Sequence, residues 1–141
     1  MNLTARLAAL ALALSAWASA TAQTPPAEAA QTLLTHAASD FRAHMKPPPT
    51  DFRRVRLGQL ASTDGHPRPV LCGEFRTGPK APWTAFATIQ TDPYEQWIGG
   101  TATGYCKPPT FKASGLQDFS GALKERMNTP ADGSVSTPSA R

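Results

Sequence analysis

Cys72 and Cys106 are the only cysteines in the chain. What they can do depends on where the chain resides. In an oxidising compartment two cysteines permit one intramolecular pairing, and a bond between them closes a loop of about 35 residues. In a reducing one they remain thiols, available as nucleophiles or metal ligands. The N-terminus decides between these. It reads MNLTARLAALALALSAWASATAQ, with Arg6 ahead of an apolar run from Leu7 to Ala18. Ala18-Ser19-Ala20 and Ala20-Thr21-Ala22 both fit the small-residue rule for signal-peptide cleavage. The run is about a dozen residues, short of the roughly 20 needed to span a bilayer. Residues 1–22 therefore read as a signal peptide and 23–127 as one domain. Residues 128–141, NTPADGSVSTPSAR, read as a disordered tail, because they hold almost nothing that could be buried. No later segment is expected to span a membrane. Export makes a Cys72–Cys106 disulfide the expected use of the sulfur atoms. In the chain-entropy account such a bond stabilises by about 3 to 4 kcal/mol.

Cleavage leaves about 119 residues, enough for one small core. Of the formal net charge of +4, Arg6 leaves with the signal peptide. The remainder is mildly basic. Nucleic-acid binders concentrate cations on one element with aromatic platforms, whereas the one cluster here is Arg53, Arg54 and Arg56. Nucleic acid is not expected as a partner.

Hydrophobic periodicity supplies the elements. Ala30, Leu33, Leu34, Ala37, Phe41 and Met45 recur at helical spacing. Thr24 stands at the N-cap and Pro47-Pro48-Pro49 stops the chain, which predicts a helix over 26–45. Alternation predicts strands over 52–60, 70–76 and 83–90, with Asp64-Gly65 turning between the first two. Residues 94–98 and 101–106 read as one bent strand or two short ones, kinked at Gly99-Gly100. Ser114 and Gln117 have capping-box spacing ahead of Leu116, Phe119, Leu123 and Met127, which predicts a helix over 115–127. One helix packed on a small antiparallel sheet, with a short C-terminal helix, is an α+β fold.

The stretch FRRV at 52–55, then VLCGEF at 70–75, then TAF at 84–86, resembles a group of small exported bacterial proteins of unknown function. Their pattern runs F-R-x-V, a gap, then V-x-C-G-E-V-N-x-K-N, and C-G-E is its specific core. Arg76-Thr77-Gly78-Pro79 departs from it here. The resemblance implies export and a small domain, and it offers no catalytic residues.

Four sets of residues remain as candidates. Cys72 as a nucleophile would need a base, and Glu74, two residues on along a strand, is about 6 to 7 Å away. That is too far for proton transfer, so a small periplasmic hydrolase using Cys72 or the histidines is the alternative reading. Glu74 itself calls for a cationic partner. If Asp64-Gly65 centres a two-residue hairpin, Val55 stands opposite Glu74, Leu57 opposite Cys72, and Arg53 is the diagonal neighbour. A slip by one residue would bring in Arg54 or Arg56 instead. Alternation puts Arg54 and Arg56 on one face and Arg53 on the other, so no patch of three arginines is expected. His36, Asp40 and His44 share one flank of the first helix, a weak metal-ligand spacing. Trp83, Tyr94 and Trp97 are aromatic surfaces for a ring-shaped ligand. Trp83, Arg54 and Arg56 form the expected ligand surface. No cofactor or metal is expected. The functional expectation is an exported, non-enzymatic binding or accessory module of the cell envelope, its partner unspecified.

Overall fold

The computed structural model of the chain describes residues 25–129. Residues 1–24 and 130–141, which include the expected signal peptide, Thr24 and most of the expected tail, lie outside the described residues.

Helix α1 (Pro26–His44) has proline in its first turn, where the missing N–H leaves no bond unmade. Glu28 stands near its positive end, and Arg42 and His44 near its negative end. Ala30, Leu33, Leu34, Ala37 and Phe41 of the expected stripe are buried. The helix ends where Met45 turns extended and donates its N–H to the Phe41 carbonyl, 3.1 Å away.

Five antiparallel strands follow: β1 (Asp51–Leu60), β2 (Arg68–Arg76), β3 (Thr84–Gln90), β4 (Tyr94–Ile98) and β5 (Phe111–Ala113). Their spatial order is β4-β3-β2-β1-β5. Helix α2 (Gly100–Tyr105) lies between β4 and β5, and α3 (Ser120–Asn128) ends the fold. The fold is α+β, with α1 packed on the sheet and a short C-terminal helix.

One face of the sheet meets α1 and α3. Phe41 packs among Phe52, Phe75 and Phe86 at ring separations of 5.7, 5.1 and 5.3 Å, and Phe119 and Leu123 join from the C-terminal end. The opposite face carries a smaller cluster of Leu60, Val70, Cys72, Ala87, Ile89 and Ala102. Alternation along β2 divides the C-G-E triplet between these faces. Cys72 joins the second face. A Cβ on Gly73 would come within 2.8 Å of Val55 and 2.9 Å of Phe86 on the first, so only glycine fits there.

The structure corrects the sequence reading in four places. Residues 101–106 are not a strand. Thr103 donates its hydroxyl to the Gly99 carbonyl, Cys106 donates its N–H to Ala102, and the segment coils so that Ala102 is buried against the sheet. Tertiary packing overrides the strand preference of its threonines and tyrosine. The C-terminal helix begins at Ser120, because the Ser114 N–H is taken by the Leu57 carbonyl (2.9 Å) and Asp118 accepts from the Ser120 N–H (2.8 Å). The short strand β5, unforeseen, pairs with Gly58–Leu60. Finally, the β1–β2 loop spans 61–67, so Leu57 stands opposite Leu71 and Arg56 opposite Cys72. The register then shifts between Arg53 and Arg56, and Arg53 stands directly opposite Glu74.

Candidate anion-binding cleft

The register shift is a β-bulge, and it decides where the arginines go. Phe52 and Val55 both belong to the core under α1, although they are three residues apart. Strict alternation cannot place both there, so one extra residue must be absorbed. Arg54 absorbs it, with φ at 53°, the one non-glycine residue of positive φ among the described residues. Arg53 and Arg54 consequently both reach Glu74, and Arg56, opposite Cys72, lies on the same face. The expected split of the three arginines between two faces is therefore wrong.

Glu74 is the anchor of this cluster. Arg53 donates to it through Nε (2.9 Å) and Nη2 (3.3 Å), a forked pair. Arg54 Nη1 stands farther off at 3.6 Å and its side chain is 74% exposed. Arg53 and Arg76 place their guanidinium carbons 4.3 and 4.7 Å from the centre of the Trp83 ring. Trp83 precedes β3 and is half-buried, its ring occupied by cations instead of being presented for a sugar to stack on. Arg76 is held in turn by Asp51, which also accepts from Lys124 of α3. The Lys124 hydrogen bond, opposed by burial and aided by Arg76, keeps the Asp51 carboxyl below its ordinary range.

Cys72 and Cys106 are joined by a disulfide, their Cα atoms 5.8 Å apart. The bond ties β2 to the end of α2 and sets the α2–β5 connection across from the bulge. Between them opens a cleft of about 530 Å³. Its strand side presents Arg54, Arg56 and Glu74 over Ala85, and its far wall presents Lys107 and Phe111 beside the disulfide. The Phe111 ring lies over Gly58, where any Cβ would collide with it. Arg56 is steadied by a 3.0 Å hydrogen bond to the Leu116 carbonyl. Lys107 is exposed and has no ion-pair partner within 4 Å among the described residues. Three cations thus face a cavity whose one carboxylate is already shared with Arg53.

Lys107, Phe111 and Thr103 escaped the sequence reading. The signal was present for Lys107: a residue adjacent to Cys106 must lie near whatever surrounds Cys72.

The histidine set is arranged differently from a metal site. Asp40 accepts from Tyr94 Oη (3.1 Å) and pairs with His44 Nδ1 (3.3 Å), while His36 stacks on the Tyr94 ring at 4.5 Å. Burial first, then the Asp40 charge, raises the Tyr94 phenol above its ordinary value. Among the described residues no group of three or more His, Cys, Asp or Glu could hold a metal ion. Trp97 is exposed and packs against Tyr105 at 5.9 Å, away from the cleft lining. No helix among the described residues is long and apolar enough to cross a membrane.

No protein-family model matches the chain, and neither a curated protein nor a solved structure matches it.

Proposed function

We propose that this chain is an exported, non-enzymatic envelope module that captures an anionic ligand in the cleft beside the Cys72–Cys106 bond. The observation that carries the reading is Arg54 held at φ 53°. A bulky side chain in the left-handed region costs about 1 to 2 kcal/mol, and an arginine needs a reason to sit there that glycine or asparagine does not. In this place the conformation brings a second guanidinium to the same side as Arg56 and opposite Lys107. Arginine forks and a lysine around an apolar-floored cavity recognise phosphate and carboxylate groups. The signal-like N-terminus and the disulfide support export. The Cys72 form of the hydrolase alternative requires a thiolate, and a sulfur bonded to Cys106 offers none.

Phenyl phosphate tests the reading, since it carries both an anion and an apolar ring. Titrated at low salt into the folded protein, it is expected to shift the backbone amide resonances of Arg54, Arg56, Gly73 and Lys107. An Arg56→Gln/Lys107→Gln variant should weaken its binding about tenfold or more, the effect of removing two charge-assisted contacts. Shifts scattered over the surface, or binding indifferent to that variant, would remove the cleft as the site.

A further inference from the structure

The cleft combines cationic and apolar lining, and the ligand it fits combines the same two kinds of surface. Arg54 and Arg56 on the strand side and Lys107 on the far wall are its cations; counted against Glu74, they leave a surplus of two positive charges among the lining residues. Its apolar lining is Ala85, the disulfide and the Phe111 ring, none of which can donate a strong hydrogen bond. Thr103, the one hydroxyl in the lining, already donates to Gly99. A polyhydroxylated sugar would find few partners on that apolar surface, and a bare inorganic anion would leave it uncovered. A volume of about 530 Å³ lies within the range of small-molecule sites.

We infer that the ligand is an amphiphilic phosphate: a phosphate monoester headgroup between Arg54, Arg56 and Lys107, with an apolar chain lying along Ala85, the disulfide and Phe111. The inference rests on the anion-binding reading above and narrows it. A phosphate monoester carries about −1.5 to −2 charges at neutral pH, which matches the surplus. Its three terminal oxygens can meet cations approaching from separate walls, which a planar carboxylate does less well. Glu74 is held by Arg53 and has no need to move. The aliphatic stems of Arg54 and Arg56 extend the apolar floor while their heads reach the phosphate.

Octyl phosphate, methyl phosphate and octyl glucoside, each below its micelle-forming concentration, separate the possibilities by calorimetric titration of the wild-type protein and a Lys107→Glu variant. Octyl phosphate is expected to bind at least about tenfold tighter than methyl phosphate, the gain from burying roughly two methylenes. It should also bind at least about tenfold tighter than octyl glucoside and lose about tenfold in the variant. Lys107 is exposed, so that substitution leaves the fold intact. Equal affinity for methyl and octyl phosphate would overturn the amphiphile while leaving the anion site standing. Equal affinity for octyl glucoside and octyl phosphate, or no binding by any of the three, would overturn the anion reading and this inference with it.

Discussion

Helices close one face of the sheet, and a covalent bond half-closes the other. Under α1 and α3 the contacts are large aromatic rings, and Phe41 and Phe86 are essentially inaccessible to water. On the α2 face the cluster is built from Ala87, Ala102, Val70, Ile89 and Leu60, and it is covered by a helix of six residues. Large side chains fill the centre of that first interface, and the cavity left at its edge, between the start of α1 and Ser114–Phe119, is smaller at about 230 Å³. Small side chains cannot fill the space under α2, so that face keeps a cleft and needs the Cys72–Cys106 bond to hold its far wall. The larger aromatic core lies on one side of β1–β3, and the cleft with its cations lies on the other. The bulge at Arg54 serves both, keeping Phe52 and Val55 in the core while sending cations to the opposite side.

That division can be broken from the packed side first. Phe41→Ala removes a ring that touches Phe52, Phe75 and Phe86, and should lower unfolding stability by about 3 to 5 kcal/mol in a urea melt. In a domain of about 5 to 15 kcal/mol this is the largest single effect expected. Phenyl phosphate affinity of the molecules that remain folded should not change. A parallel loss of affinity would mean that the faces are coupled through the sheet. From the other side, Cys72→Ala/Cys106→Ala should cost about 3 to 4 kcal/mol by releasing a loop of roughly 35 residues. Here the affinity should fall as well, since Lys107 and Phe111 lose their tether. A reduced-stability variant that binds phenyl phosphate like wild type would show the wall to be held by α2 packing alone.

The same contrast governs what could be read from the residues. Helix α1 was legible because its 19 residues repeat the apolar stripe several times over. A pairing of two cysteines needs no register to specify it. Arg53 could be placed on the Glu74 face by alternation, but only as a diagonal neighbour. The cleft was much harder to see. Its far wall comes from a six-residue helix and a three-residue strand, both too short for any periodicity to register. Its near wall depends on the bulge, whose trace in the sequence is slight: Phe52, Val55 and Leu57 are spaced by three and then two. Read strictly, that spacing already requires an extra residue between Phe52 and Val55, and with it the regrouping of the arginines. The covering of Trp83 by Arg53 and Arg76 was not legible either, because a sequence does not say which rings are already covered by cations.

The smallest expected effect probes the bulge itself, where the two faces meet. Arg54→Gly keeps the backbone at φ 53° while removing the Cβ that makes it unfavourable. Relief of about 1 to 2 kcal/mol is offset by about 0.5 to 1 kcal/mol of additional chain entropy in the unfolded state. The lost link to Glu74, at 3.6 Å and with the arginine 74% exposed, is worth little. The variant should therefore unfold at the same or slightly higher urea concentration, by up to about 1 kcal/mol, while phenyl phosphate binding weakens. Arg54→Ala, which keeps the Cβ and loses the cation, should lose affinity without any gain in stability. The pair of variants separates the two roles of one residue. If Arg54→Gly instead destabilises by more than about 1 kcal/mol, the guanidinium is holding the strand together, and the strained backbone has a structural cause rather than a ligand.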